Sequence, residues 1–220
     1  GHAKPLETDV DWEWATSISG TAMANTFDYV FQELTTHPQP HVWQRQLGED
    51  AQCRNRIIRI PTGLGKTEGI VTAWLWHRVI REGGDDSWPR RLVWCLPMRV
   101  LVEQTVAVAK QVIGRLGDDV LSPIVVPVMG GIEAGEWFRN PEQPAVLIGT
   151  QDMLLSRALN RGYGSGRARW PAEYGLLHHD ALWVMDEIQL MDVGLATSAQ
   201  LQAYRDHDQA KRFRPCHTWW

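Results

Sequence analysis

The sequence predicts an α/β fold, a mostly parallel sheet with helices on both faces, and three observations carry that prediction. Short apolar runs alternate along the 220 residues with longer stretches of helical periodicity, the order that βαβ units leave in a sequence. The run Ala181-Leu182-Trp183-Val184-Met185 is apolar throughout, as a strand buried on both faces must be. It delivers Asp186-Glu187 at its carboxyl end, where open α/β sheets place their ligands.

Each element follows in order. Residues 56–60 form the first expected strand, leading into Pro61-Thr62-Gly63-Leu64-Gly65-Lys66-Thr67-Glu68. Residues 69–81 then read as an apolar-rich helix that stops at Gly83-Gly84. Residues 91–96 are the next buried strand, and residues 100–113 a helix whose Leu101, Val102, Val106, Val108, Val112 and Ile113 favour packing on the sheet. Residues 124–128 and 145–148 are the third and fourth strands, and residues 181–185 the fifth. The Gly- and Arg-rich stretch 161–169 is the one expected flexible segment. No internal repeat or low-complexity tract interrupts this order.

Composition narrows the class. A 44% hydrophobic and 22% charged chain without a long uncharged apolar run is expected to be soluble and cytoplasmic, with no membrane partner. Cys53, Cys95 and Cys216 are an odd number of widely separated thiols, which suits reduced packing residues better than a disulfide frame. A net charge of -4 means that nucleic-acid binding would need a local patch. Gly1-His2 reads as an expression scar. The expected organisation is an N-terminal segment over 1–54 and an α/β lobe over 55–220.

The loop at 61–68 carries the strongest chemistry. Gly63 and Gly65 allow the backbone to turn tightly and aim its N–H groups at phosphate oxygens, and the helix beginning near Lys66 adds its positive N-terminal dipole. A polyphosphate is the expected ligand, cradled by Thr62, Gly63, Leu64, Gly65, Lys66, Thr67 and Glu68. Lys66 would lie on the β- and γ-phosphates, with the Thr67 hydroxyl on Mg²⁺. Ile60 stands where such loops usually carry their first glycine. Asp186 is the expected second metal ligand and Glu187 the group that activates water, which makes Lys66, Asp186 and Glu187 the catalytic set. Taken singly, the loop is also readable as a glycine turn and the acidic pair as a helix cap; together they specify a nucleotide site.

These residues resemble the helicase core of superfamily 2 over most of the chain, and the resemblance implies the RecA-like fold of a P-loop NTPase domain. Gln44, within Pro40-His41-Val42-Trp43-Gln44-Arg45-Gln46, resembles the glutamine motif that reads the adenine edge, with Gln46 a competing candidate. Phe27 or Phe31 is the expected aromatic partner of the base, with Trp43 a further aromatic beside Gln44. The run from Leu96-Pro97-Met98-Arg99 to Gln104 resembles motif Ia, and Gly149-Thr150-Gln151-Asp152-Met153 resembles motif Ib. The implied nucleic-acid contacts are Pro97, Arg99, Gly149, Thr150 and Gln151; an ordinary loop with an N-cap is the competing reading for Pro97 and Thr150.

Motif II reads Asp186-Glu187-Ile188-Gln189 instead of the commoner Asp-Glu-Ala-Asp or Asp-Glu-x-His. Val184-Met185-Asp186-Glu187-Ile188-Gln189-Leu190-Met191, followed by Gly194, Thr197-Ser198 and Gln200-Leu201, resembles the CRISPR-associated helicase–nuclease of type I systems, in the branch once called I-U and now I-G. That resemblance implies ATP-driven translocation along single-stranded DNA, generally 3′ to 5′. Its implied partners are a guide-RNA surveillance complex and, in a longer chain, a second RecA lobe and a nuclease domain. His217-Thr218-Trp219-Trp220 resembles the strand that leads into the Ser-Ala-Thr motif, so the chain reads as a fragment expected to bind nucleotide weakly and turn it over poorly. Two other readings stay open: another superfamily 2 motor acting on RNA or duplex DNA, and a nucleotide-binding interaction module without motor activity.

Remaining groups read more plainly. His178-His179-Asp180 precedes a buried strand and lacks further ligands at metal spacing, which makes it a turn or cap. Trp74, Trp76, Trp94 and Trp183 fall on expected helices or strands and read as core. Arg157, Arg161, Arg167 and Arg169 form either a solvated loop or a basic edge tracking a nucleic-acid strand.

Overall fold

The computed structural model describes residues 26–81, 86–117, 120–130, 135, 137–209 and 214–220. Five parallel strands form one sheet in the order β2-β3-β1-β4-β5, with β1 at Arg91–Leu96, β2 at Ile124–Val128, β3 at Ala145–Thr150, β4 at Ala181–Met185 and β5 at Cys216–Trp219. Seven helices accompany them among the described residues: α1 (Phe27–Thr35), α2 (Val42–Glu49), α3 (Lys66–Leu75), α4 (Arg99–Ile113), α5 (Gln151–Ala158), α6 (Trp170–His178) and α7 (Val193–Gln209).

Alternation along the strands divides the interior into two cores. Leu92, Trp94 and Leu96 of β1 point to the face covered by α1, α3 and α4, whereas Val93 and Cys95 point to the face covered by α5, α6 and α7. Each of these five strand residues is at most 1% exposed, so the central strand is apolar on both sides, as the sequence requires. Helices therefore cover both faces, in agreement with the expected α/β class. Phe27, Phe31 and Leu47 join the same core as Trp74 and Val102, so α1 and α2 pack directly on the sheet-covering helices. All three cysteines are buried, and none forms a disulfide among the described residues. Among the described residues, no helix is long and apolar enough to cross a membrane.

Two expected elements differ. Residues 56–60 are not a strand but make a single parallel bridge, Arg56 to Trp219, with Arg56 N donating to Thr218 O (3.2 Å) and Ile58 N to Trp220 O (2.6 Å). This segment has β5 on one side only; Ile58 packs against the core, but Ile57 on the other face is 80% exposed, and no second ladder holds the segment extended. The expected helix over 69–81 starts at Lys66 as α3 and changes at Trp76–Ile80 into a π-helical turn. Within that turn, buried His77 stacks on Trp88 at 4.0 Å between ring centroids. The expected stop at Gly83-Gly84 lies outside the described residues.

Candidate nucleotide site

Parallel pairing of β1 with β4, Cys95 opposite Met185, brings the residues that follow both strands to one edge of the sheet. Asp186 N continues the ladder by donating to Cys95 O at 3.0 Å. Across from this edge the chain enters α3 through Gly63 (φ +84°) and Gly65 (φ +65°), two left-handed positions that a side chain would strain. Gly65 caps α3, and Lys66 is its first residue. The sequence expectation of a tight glycine turn opening a helix is met.

Lys66 Nζ lies 2.6 Å from Asp186 Oδ1 and 3.5 Å from Glu187 Oε1. Burial pushes the Lys66 pKa down, but the hydrogen bond and charge of Asp186, with those of Glu187 behind them, outweigh burial and raise it. The ammonium is therefore a fixed cation at the mouth of the loop. Glu187 adopts a left-handed backbone (φ +57°), a conformation costly for a residue with a Cβ, and its N–H donates to Asp186 Oδ1 at 3.0 Å. This turn gives the two carboxylates different main partners. Asp186 is tied to the loop lysine, while Glu187 Oε2 accepts a hydrogen bond from exposed Gln189.

Two clefts meet at Lys66. One, about 340 Å³, is lined by Thr62, Gly63, Lys66, Thr67, Asp186 and Glu187 among others. A second, about 490 Å³, opens between the segment 57–62 and the ends of β4 and β5. The Thr67 hydroxyl and the Asp186 carboxylate are hard oxygen donors of the kind Mg²⁺ takes. No group of three or more His, Cys, Asp or Glu that could hold a metal occurs among the described residues. The Lys66 ammonium, 2.6 Å from Asp186 Oδ1, is the positive partner of that carboxylate here.

Behind the loop, Gln44 is 1% exposed and uses both ends of its amide. Oε1 accepts from His41 N at 2.7 Å, closing the N-terminus of α2, and Nε2 donates to Gly65 O at 3.0 Å. Gly69 is required beneath it, since a Cβ there would fall 2.7 Å from Gln44 Cγ and from Trp43 Cη2. Glu68 Oε2 pairs with His37 Nε2 at 3.0 Å, fastening the turn after α1 to the start of α3. Gln46, the competing candidate, is exposed. Phe27 and Phe31, expected near a base, are instead 5% and 1% exposed in the core; Phe27 lies where a Gly48 Cβ would stand 2.1 Å from its ring.

The expected nucleic-acid residues cluster beside this site. Leu96 pairs with Thr150 across β1 and β3, so the loop carrying Pro97 and Arg99 adjoins Thr150 and Gln151. Arg99 is exposed, with Nε on Glu103 Oε1 at 2.9 Å. Thr150 caps α5 without a side-chain cap bond. Gly149 is there for packing: a Cβ would lie 2.5 Å from Val128 O. Arg157 does not belong to a basic edge. It is 3% exposed and pairs with equally buried Glu173 at 3.3 Å, locking α5 to α6. Arg161 and Arg167 are exposed, and Arg169 lies over Phe138 at 5.6 Å.

His178, His179 and Asp180 form structure, as expected. His178 Nε2 lies 2.7 Å from Ala158 O, and Asp180 accepts from Arg90 N at 2.9 Å. The four tryptophans read as core lie in it or against it, but one does more. Trp94 donates from Nε1 to Asp186 Oδ2 at 3.3 Å, a contact that no sequence pattern announces because a buried tryptophan on a strand needs no further reason.

Comparison with known proteins places this geometry. A family described as DEAD/DEAH box helicase matches residues 36–213. No curated protein sequence matches the chain. Among solved structures, the DUF1998 helicase MrfA is similar with a TM-score of 0.60 at 14% identity, over 87% of this chain and 28% of that one. The yeast DEAD-box splicing factor Prp28 gives 0.56 at 18% identity, over 88% of this chain and 43% of that one. Dbp5 from S. cerevisiae, in a structure with Nup159, Gle1, IP6 and ADP, gives 0.53 at 18%, over 86% of this chain and 44% of that one. These likenesses show the fold, and the chain spans less than half the length of each.

Proposed function

The chain belongs to the DEAD/DEAH box helicase family, and from that premise we propose that it is the ATP-hydrolysing first lobe of a nucleic-acid motor. One observation carries the proposal: Lys66, Asp186 and Glu187 converge within hydrogen-bonding reach on a glycine loop that opens a helix. In this reading ATP binds with its phosphates against the N–H groups of 63–67 and the N-terminus of α3. Lys66 exchanges Asp186 for the β- and γ-phosphate oxygens, and Thr67 with the released Asp186 would hold Mg²⁺. The ion supplies charge neutralisation across the β- and γ-phosphates. Glu187 accepts the proton of a water as its oxygen attacks the γ-phosphorus and the bond to the bridging oxygen breaks, yielding ADP and phosphate. Thr62, Leu64 and Glu68 shape the loop, and Gln44 braces it from behind.

The motif II run Asp186-Glu187-Ile188-Gln189-Leu190-Met191 supports a finer assignment to the type I CRISPR helicase–nuclease family, acting on single-stranded DNA with a surveillance complex, a second lobe and a nuclease domain. Pro97, Arg99, Gly149, Thr150 and Gln151 are the proposed strand contacts. The adjacency of their loops at the sheet edge supports this, and Gly149 acts there through packing. The test is ATP hydrolysis by this chain, and by a longer one including a second lobe, with single-stranded DNA or RNA added. DNA-stimulated turnover that Lys66→Ala abolishes is the expected result. Stimulation by RNA alone would move the protein to the RNA-directed members of the family, and ATP binding indifferent to both would remove the motor.

A further inference from the structure

Trp94 stands in the core of the sheet, 0% exposed, and a tryptophan there needs only apolar neighbours. Yet its one polar atom is directed out of the core to Asp186 Oδ2 at 3.3 Å. The two carboxylate oxygens of Asp186 have divided tasks. Oδ1 faces the loop, receiving Lys66 Nζ at 2.6 Å and Glu187 N at 3.0 Å, while Oδ2 is turned back to the indole. Backbone pairing with Cys95 O fixes the Asp186 main chain but not the terminal bond of its side chain. Lys66 and Glu187 N hold that carboxylate from the loop side, and the indole N–H holds it from the core side.

We propose that Trp94 is a positioning residue for the metal carboxylate: its indole N–H tethers Asp186 Oδ2, which keeps Oδ1 aimed at the cation position beside Thr67 and Lys66. Partners of this kind, standing behind a metal ligand, change metal affinity by about 10–100-fold when removed. Trp94 also lies on β1, three residues before Pro97, so the strand that aims the carboxylate is the one that leads into the exposed Pro97–Arg99 turn. The inference rests on the nucleotide reading of the site.

The experiment is a Mg²⁺ titration of the binding of a fluorescent ADP analogue to the whole chain, for the native protein, Trp94→Phe and Lys66→Ala. Phenylalanine keeps an aromatic ring in the core and lacks the donor. The expected result is a Mg²⁺ midpoint about 10-fold higher in Trp94→Phe, with Mg²⁺-free ADP affinity unchanged. A superimposable Mg²⁺ curve overturns the proposal, and so does an equal loss of affinity with and without Mg²⁺, which marks a packing defect. Failure of the native chain to bind ADP, or binding that Lys66→Ala leaves intact, removes the nucleotide site itself and the tether with it.

Discussion

Gln44 donates a 3.0 Å hydrogen bond to the backbone carbonyl of Gly65, the residue that caps the helix carrying Lys66. The same carbonyl accepts the first helical bond from Gly69 N at 2.9 Å, so the side chain reinforces the turn from outside the helix. Gln44 thereby links the N-terminus of α2, through His41 N, to the phosphate loop.

Replacing Gln44 with Glu keeps the acceptor for His41 N and sets a carboxylate oxygen against the Gly65 carbonyl. The Gly65 carbonyl keeps its bond from Gly69 N, so the change loses one hydrogen bond, worth about 0.5–1.5 kcal/mol, and sets two oxygens against each other. Chemical denaturation should show that loss, and nucleotide affinity should fall with it because the loop loses its brace. Unchanged stability would mean that Gly65 is held by the helix alone.

Lys66→Met removes the ammonium that neutralises Asp186 and Glu187. Two carboxylates then face each other without their shared cation, and phosphate binding loses a positive charge at the loop. ADP affinity should drop by at least about 10-fold, or roughly 1.4 kcal/mol. Equilibrium binding with the fluorescent nucleotide measures this directly.

Much of this site was legible before any coordinates. The glycine positions of the loop, the buried strand and the acidic pair are local patterns, and each landed where the pattern put it. What stayed hidden depends on contacts between distant residues. Arg157 reads as one more arginine near a basic loop until Glu173, on the next helix, is seen beside it. Phe27 and Phe31 suit either a base or a core, and only their burial, 5% and 1% exposed, decides for the core. Residues 56–60 have strand composition, but their pairing with β5 stops at one bridge, Arg56 to Trp219, and no ladder follows.

Gly149→Ala separates the two meanings of motif Ib. A methyl group at this position would stand 2.5 Å from Val128 O and 2.8 Å from Val128 Cβ, so β2 must move away from β3. Overpacking of this kind costs about 1–3 kcal/mol. Thermal unfolding should register that cost in the absence of any nucleic acid, and a variant as stable as the native chain would contradict the packing role.

Acid should weaken the α6–α7 contact through His178. Burial first, and the Arg205 charge second, push its pKa from 6.5 down to about 4, against the Ala158 hydrogen bond that raises it. Arg205 Nε donates to Nδ1 at 3.3 Å, so the neutral ring must carry its proton on Nε2, toward Ala158 O. Between pH 6.5 and about 4 the unfolded chain binds a proton that the folded chain refuses. Stability from this group is therefore complete above the upper value and lost as pH falls through the window, by about 3 kcal/mol in all. His178→Gln, which retains a donor for Ala158, should flatten that part of the stability profile in denaturant titrations at several pH values.

Arg157→Ala distinguishes a structural arginine from a nucleic-acid contact. The pair with Glu173 is 3% exposed on both sides, and removing one partner leaves a buried carboxylate uncompensated, at a cost of about 3–5 kcal/mol. The double variant Arg157→Met with Glu173→Leu buries no charge and should recover most of that loss. With the double variant folded, the salt dependence of strand binding should match the native slope, because a residue sealed between α5 and α6 releases no counterions. A reduced slope would return Arg157 to the surface and overturn its placement, whereas Arg161→Ala and Arg167→Ala, on the exposed side of the same region, are the variants in which a reduced slope would show a basic edge at work.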